Sequence, residues 1–460
     1  MLGSIFKAYD VRGVYPNQVN ESTAWKIGCA TGRFLRQANA AQAGQVMVSR
    51  DMRPSSEVLT QSLIDGLRTA EMAVTDLGMC DTPIIYFAIN HLNASGGVQT
   101  TASHNPPQYN GFKISGAQAV PIGGDSGLRQ IQAMAESMGE PGSIPPTGKL
   151  EQHDLWVPYR RHILHFLQPF RKKVKVVIDA SNGMAGEMVP RVFDGVENLE
   201  ILPLNFQVTG TFAHDPNPLV AENMVPTQNA VKAHGADLGV CFDGDADRCM
   251  VVDEQGQIIG CDHLTALLAG YFLEKEAGST IVYDLRSSRA APETIARFGG
   301  VPRRSRVGHA FMKATLRETN SIFGGELSGH FYYRDNFFAD SGAITFAVVL
   351  SLLGQTRQTL SELIAPLRQY PQSGEMNFRV DDKDGVMASL KDRYGQDTTV
   401  DELDGVTIDA FEQRGYWFNV RPSNTEPLLR LNAEAKDRPT LEGLLSELTP
   451  QLGQPQKTAH

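Results

Sequence analysis

Cysteine is scarce in this 460-residue chain. The five present, Cys29, Cys80, Cys241, Cys249 and Cys261, are an odd number, are scattered and include no CxxC pair. In a chain this long that pattern reads as free thiols in a reducing cytosol. Long apolar runs are missing too. The longest, AITFAVVLSLLG at 343–354, is shorter than the ~20 residues a bilayer span needs and reads as a buried helix. The opening MLGSIFKAYDVRG has no apolar stretch of signal-peptide length, so the expected location is the cytoplasm, with no membrane partner. Positive charge is in deficit: 42 Lys and Arg against 52 Asp and Glu leave a net charge of -10. That argues against a nucleic-acid partner, whose phosphate backbone needs a basic face. Three catalytic signatures are also absent. PTGKL lacks the upstream glycine and the hydroxyl residue of a P-loop, and neither HExxH nor GxSxG occurs. P-loop kinases, zincins and α/β-hydrolases are thereby disfavoured.

What is present is an ordinary soluble composition, 41% hydrophobic and 20% charged. Single cores stop growing near roughly 250–300 residues, so two to four domains are expected. Three segments share one rhythm: QVMVSRDMRPSS (45–56), VKVVIDASNGMAG (174–186) and TIVYDLRSSRAA (280–291). Each is a β-branched run reaching an Asp, then small or basic residues, then a helical pattern. After the first, Val58, Leu59, Leu63, Ile64 and Leu67 are spaced for one helical face, with Ser55 and Ser56 as N-cap candidates behind Pro54. The recurrence predicts three related α/β domains with mostly parallel, helix-covered sheets. YWFNVRPSNTEPLLRLNAEA and then TLEGLLSELTPQL read as strand, turn, strand and helix, a smaller α+β domain. Joints are expected at MGEPGSIPPTGK, DEQGQ and YPQSGE. The division is 1–148, 149–254, 255–370 and 371–460.

Four clusters could carry chemistry. TASHNPPQYNGFK (101–113) is a poor helix and a poor strand. It fixes Ser103 between a strand end and the rigid Pro106–Pro107 pair, a setting that suits a nucleophile or phosphoryl carrier. His104 is adjacent, and adjacency leaves open whether it faces the serine. Lys113 stands at the far end. GVCFDGDADRCMVVDE (239–254) alternates Asp243, Asp245 and Asp247, so their carboxylates can converge on one hard cation. An EF-hand is rejected, because Arg248 sits where its glycine belongs and both flanks read as strands. RRSRVGHAFMK (303–313) offers a basic run and His309, whose ordinary pKa lies near neutrality. In GGELSGH, Glu326, Ser328 and His330 are spaced by two and, if extended, would face a polyol together. RPSNTEP (421–427) crowds a guanidinium, hydroxyls and an amide into one stiff turn, a candidate phosphate cradle.

Taken in order, FKAYDVRG, TASHNPPQYNGFK, DGDADR, GELSGH and RPSNTEP resemble the α-D-phosphohexomutase family along essentially the whole chain, nearest its bacterial phosphomannomutase/phosphoglucomutase members. The resemblance implies three related α/β domains and one α+β domain around a central active-site cleft. It implies an isomerase that interconverts the 6- and 1-phosphates of mannose, and of glucose as well, with hexose phosphates as its small-molecule partners. Ser103 would carry a covalent phosphate, and a hexose 1,6-bisphosphate would serve as intermediate and activator. Mg²⁺ would be held by Ser103, Asp243, Asp245 and Asp247. Arg12, His104, Lys113 and His309 match catalytic positions. Tyr9, Arg248, Arg286, Gly308, Glu326, Ser328 and His330 match substrate-binding positions. Arg421, Ser423, Asn424 and Thr425 match the site for the non-reacting phosphate. The chain is expected to be a monomer or homodimer.

Three positions depart from the pattern. Ser49 stands where glycine is usual, Ala213 where proline is common, and Arg286 where many members carry lysine. Three rival readings follow: phosphoglucomutase as the main activity, a phosphoserine-dependent sugar-phosphate phosphatase, and a non-catalytic sensor. A sensor would be expected to lose Ser103 or an aspartate of the metal loop, and all are present. Leu327 and Asn424 point away from the phosphoglucosamine mutases.

Overall fold

The three rhythmic segments become the central strands of three sheets. In the computed structural model, which describes residues 2–38, 44–142, 145–423, 428–453 and 455–456, the chain forms two compact units. One is Met1–Ile259 with Ser328–Ser361, the other Gly260–Leu327 with Glu362–His460.

The first unit holds two sheets. Strands β1 (Val11–Val14), β2 (Gln45–Arg50), β3 (Ala73–Met79), β4 (Gly96–Thr100), β5 (Tyr109–Gly116) and β6 (Leu150–Gln152) are ordered β1-β5-β4-β2-β3-β6. β2 runs parallel to both neighbours, and β5 runs antiparallel to β4 and β1. Val46, Val48, Val98, Phe112 and Ile114 join the helix residues Ile27, Leu59, Leu63 and Leu67 in one core. Strands β7 (Val174–Asp179), β8 (Leu199–Leu204), β9 (Leu238–Phe242), β10 (Cys249–Asp253) and β11 (Ile258–Ile259) are ordered β11-β10-β9-β7-β8. β7 is parallel to β8 and β9, and β9 turns antiparallel into β10. Every residue of β9 and β10 is buried. Their near-continuous apolar runs, LGVCF and CMVV, are what strands covered on both faces require. The apolar run at 343–354 is the expected buried helix, Gly342–Gln355, with Phe346 packed edge-on against Phe193 and Phe242. The DEQGQ segment is the turn joining β10 to β11 inside this second sheet.

In the second unit, β12 (Thr280–Asp284) lies parallel to β13 (Val301–Ser305) and β14 (Phe323–Gly325). A fourth sheet places Thr399–Asp401, Val406–Ala410, Tyr416–Pro422, Leu428–Ala435, Met376–Arg379 and Pro455–Gln456 side by side, all antiparallel. The helix Arg438–Leu452 covers it with Leu441, Leu444, Leu448 and Leu452. Asp437 caps that helix by accepting the Thr440 N–H at 2.8 Å. The α+β reading of this region holds.

The aspartate at each central strand end has one job in three copies. A carboxylate oxygen of Asp51, Asp179 and Asp284 accepts the N–H two residues on, from Arg53 (3.0 Å), Ser181 (2.9 Å) and Arg286 (2.8 Å). This Asx turn stops the strand and aims the chain at the helix that follows. In the helix after β2, Ser56–Thr69, two expectations fail. Val58 is 43% exposed, because it lies about one residue's rotation from the stripe formed by Leu59, Leu63 and Leu67. Ser55 has helical backbone angles and makes no cap bond; Asn110 donates to the hydroxyls of both Ser55 and Ser56 instead. All five cysteines are free and buried. Among the described residues, no helix is long and apolar enough to cross a membrane.

Candidate active site

β4 ends at Thr100, and the chain makes a loop before re-entering the sheet as β5. At Ser103 the backbone has φ +50°, a left-handed conformation that costs a non-glycine residue roughly 1–2 kcal/mol. Two things hold it there. The Ser103 N–H donates to Thr101 Oγ1 at 2.9 Å. The Arg53 guanidinium, wholly buried, donates to the carbonyls of Ser103 (2.8 Å), Asn105 (2.6 Å), Pro106 (2.7 Å) and Tyr109 (3.0 Å), and through Nε to Asp51 (3.0 Å). Prolines donate nothing. The carbonyls of this proline-stiffened loop therefore converge on one cation threaded up from the first strand end.

Ser103 Oγ donates to Asp243 Oδ2 at 2.8 Å, and His104 Nδ1 lies 3.3 Å from Ser103 Oγ, so His104 does face the serine. Burial, then Arg248, Arg12 and Lys113, push the His104 pKa well below its ordinary value, which keeps the imidazole neutral. Asp243, Asp245 and Asp247 project from the β9–β10 turn, buried, with ligand oxygens within 4.8 Å of one another. Glycine is required between the first two: a Cβ on Gly244 would stand 2.4 Å from the Ser103 carbonyl oxygen. The serine loop and the aspartate turn thus touch backbone to backbone.

Lys113 Nζ donates to Asp245 Oδ2 at 2.7 Å and to Asp247 Oδ2 at 2.6 Å. Burial alone would lower its pKa, but Asp245, Asp247 and Asp243 outweigh burial and raise it. Burial, then Asp247 and Asp245, raise Asp243. Burial works in the same sense on Asp247, where Lys113 and His330 overcome it and hold the carboxyl low. Asp245 Oδ1 is buried and accepts no hydrogen bond among the described residues. Three clustered carboxylates with such an oxygen to offer fit a hard divalent cation. Arg248 donates its N–H to Asp243 Oδ1 at 3.2 Å. Arg12 binds Asn105 of the serine loop and Asp10, and Tyr9 precedes it, half-buried.

The 326–330 segment is not extended. It turns at Leu327–Ser328, and Gly329 has φ +85°, which only glycine adopts readily. Glu326 therefore belongs to the second unit and Ser328 and His330 to the first. Ser328 Oγ lies 2.9 Å from His330 Nδ1, while His330 Nε2 lies 3.3 Å from Asp247 and 3.7 Å from Asp340.

The second unit has its own charged cluster. Arg286 Nε is 3.0 Å from both oxygens of Asp284, NH1 is 3.3 Å from Glu375, and NH2 is 3.9 Å from Glu326. Arg421 and Arg430 donate to the same Glu375 at 2.8 and 3.0 Å. Burial would raise the Glu375 carboxyl, but Arg286, Arg421 and Arg430 prevail and lower it. Gly308 donates its N–H to Glu326 Oε1 at 3.1 Å, and His309 opens the helix His309–Thr319. Ser423 Oγ accepts from Arg430 at 3.4 Å. Arg421 Nε is buried without a partner among the described residues. Asn424 and Thr425 lie outside the described residues.

Four stretches of the chain match the successive domains of one family: "Phosphoglucomutase/phosphomannomutase, alpha/beta/alpha" domains I (3–140), II (158–256) and III (261–370), and its C-terminal domain (375–451). The chain belongs to the phosphoglucomutase/phosphomannomutase family. It is 40% identical to a phosphomannomutase of Vibrio cholerae serotype O1 over 94% of each chain. It is 38% identical to a phosphomannomutase of Escherichia coli K12 over 95% of this chain and 96% of that one. A crystal structure of a phosphoglucomutase/phosphomannomutase family protein from Burkholderia thailandensis, 32% identical, superposes with a TM-score of 0.88 over 98% of this chain and 97% of its own.

Within this phosphoglucomutase/phosphomannomutase architecture, sequence reasoning missed Arg53 and Glu375. Arg53 had a faint signal, as the arginine two residues past the first strand-end aspartate. Glu375 had none, sitting in a segment that reads as a joint.

Proposed function

We propose that the chain is a phosphomannomutase that interconverts mannose 6-phosphate and mannose 1-phosphate, turns over the glucose phosphates as well, and carries the phosphoryl group on Ser103. The observation that carries this reading is Ser103 itself: a buried hydroxyl held in a left-handed turn by Arg53, 2.8 Å from Asp243 and backed by two further carboxylates. Phosphoryl transfer depends chiefly on positioning and charge stabilisation, and this loop supplies position. In the forward half-reaction the P–O bond to Ser103 Oγ breaks while a free sugar hydroxyl forms the new P–O bond, and the proton that hydroxyl loses ends on Ser103 Oγ, restoring the serine hydroxyl. The product is a hexose 1,6-bisphosphate. In the second half the phosphate at the other sugar position returns to Ser103 Oγ.

His104, neutral and 3.3 Å from Ser103 Oγ, orients that oxygen. Lys113 and His309 are the candidates for carrying protons at the sugar hydroxyl. Mg²⁺ held by Asp243, Asp245, Asp247 and the Ser103 side chain would neutralise charge on the transferring group. Glu326 and Ser328 are proposed as sugar-hydroxyl ligands, and Arg421 with Ser423 as ligands of the non-reacting phosphate.

A phosphoserine-dependent phosphatase would use the same serine and differ only in its acceptor. The deciding experiment follows ³¹P resonances of mannose 1-phosphate with a trace of glucose 1,6-bisphosphate. Mannose 6-phosphate should accumulate without inorganic phosphate. Stoichiometric inorganic phosphate would make water the acceptor and remove the mutase reading.

A further inference from the structure

Thr82 is fully buried and occupies the N-cap position of the helix Pro83–His91. A threonine there ordinarily spends its hydroxyl on the helix's own N–H groups. This one does not: its backbone is already helical and no cap bond forms. Its hydroxyl donates to Asp245 Oδ2 at 2.5 Å, and its N–H donates to the Asp245 carbonyl at 3.0 Å. A residue 163 positions away thus grips Asp245 by both main chain and side chain.

Asp245 Oδ2 has two other donors. Lys113 Nζ, at 2.7 Å, is shared with Asp247. Thr101 Oγ1, at 3.3 Å, also accepts the Ser103 N–H. Thr82 is the uncharged donor with no other side-chain hydrogen bond among those described here. All three approach one oxygen, and Oδ1, equally buried, has no hydrogen-bond partner among the described residues. The donors therefore fix the carboxylate plane and leave Oδ1 to be offered.

From this we infer that Thr82 is a positioning residue for the cation site: its hydroxyl holds Asp245 so that Oδ1 is presented to a divalent metal. The inference rests on reading Asp243, Asp245 and Asp247 as the metal ligands. Groups that orient metal ligands typically alter affinity by about 10–100-fold when removed.

The test is Mn²⁺ binding to the dephosphorylated protein, followed by loss of the free-ion EPR signal, in wild type, Thr82→Val, Thr82→Cys and Thr82→Ser. Valine keeps the shape and the main-chain bond and removes only the hydroxyl. Its Mn²⁺ Kd should rise about 10–100-fold. Serine should stay near wild type, and cysteine, a weak donor, should fall between. In turnover assays the Mg²⁺ requirement of Thr82→Val should shift by the same factor, while the sugar KM at saturating Mg²⁺ stays put. A merely structural role would not produce that split. If the valine variant does not fold, the cysteine variant carries the test. Wild-type Mn²⁺ affinity in the valine or cysteine variant overturns the role of Thr82 and leaves the metal site standing. A wild-type chain that takes up no Mn²⁺ overturns both.

Discussion

Arg53→Lys keeps the charge at the root of the serine loop and removes its reach. The guanidinium has five N–H donors, and each has an acceptor: Asp51 and the carbonyls of Ser103, Asn105, Pro106 and Tyr109. An ammonium has three, so at least two acceptors lose their donor. Hydrogen bonds to a charged group contribute about 1.5–3 kcal/mol each, so two together come to about 3–6 kcal/mol. At 1.4 kcal/mol per tenfold, the loop's opening equilibrium should rise by roughly 10²–10⁴. Hydrogen–deuterium exchange read by mass spectrometry measures this where it acts. The Ser103, Asn105 and Tyr109 amides, each bonded within the loop, should exchange faster by that factor. Peptides from the helix Arg438–Leu452 should not change. Mutase turnover should fall with the loop protection, because Ser103 no longer holds its left-handed position. Wild-type exchange across 101–111 in the lysine variant would refute the claim that Arg53 holds this loop.

Asp81, buried under the same site and bonded by the Tyr159 hydroxyl at 2.7 Å, is pushed up to about 7 by burial, with Tyr159 opposing. The native state therefore holds this proton more tightly than the unfolded chain, whose aspartate titrates near 3.9. The group's contribution to stability is full below about pH 4 and is lost as pH rises toward 7. Asp81→Asn removes that dependence: thermal melts should show the variant gaining on wild type by up to roughly 4 kcal/mol at pH 8 and roughly 1–2 at pH 5, and an equal difference at both would refute the assignment. Intact-mass measurement should find a phosphate-sized addition on purified protein that disappears in Ser103→Ala together with turnover; phosphate mapped to another residue in active enzyme would displace Ser103. Mannose and glucose 1-phosphates should differ by no more than about two orders of magnitude in kcat/KM, since no residue identified here builds a clash against either epimer. Galactose 1-phosphate should be far poorer, because it misplaces the 4-hydroxyl assigned to Glu326 and Ser328, and equal turnover would remove those two residues as the sugar ligands.

The architecture was legible because the forces that set it are local. A β-branched run, a strand-end aspartate and an amphipathic helix announce themselves within a dozen residues, and each of the three copies became a strand, an aspartate turn and a helix; the mostly parallel sheets did not follow, because strands such as β5 and β10 return antiparallel beside their neighbours. Ser103 and the three aspartates were legible for the same reason, since their spacing is their chemistry. Arg53 and Thr82 were not, because, Asp51 apart, their side-chain partners lie 50 to 163 positions away and several are main-chain carbonyls, which carry no residue identity. Glu375 matters through three arginines brought in from two different strands and a turn. The alignment of Glu326 with Ser328 and His330 failed because alternation holds only in an extended chain, and Gly329 ends it.

The strand-end aspartate turn shows how one scaffold was put to three different uses. In each copy, the turn that terminates the strand leaves the second carboxylate oxygen to hold a nitrogen: Arg53 Nε at 3.0 Å, His214 Nε2 at 3.1 Å and Arg286 Nε at 3.0 Å. In the first and third copies the turn's own aspartate holds the guanidinium at Nε and leaves other donors to reach beyond the turn. What it serves can therefore diverge while the turn stays the same. In the first copy the guanidinium is spent inward, on the carbonyls of a loop. In the third it stays among side chains, beside Glu326 and Glu375. In the second, the matching position two residues past the aspartate is Ser181, and His214 from a distant loop meets the second carboxylate oxygen instead. Duplicating such a turn supplies a pre-aimed charge before any function exists for it, which makes the end of a central strand a natural place for a new site to begin.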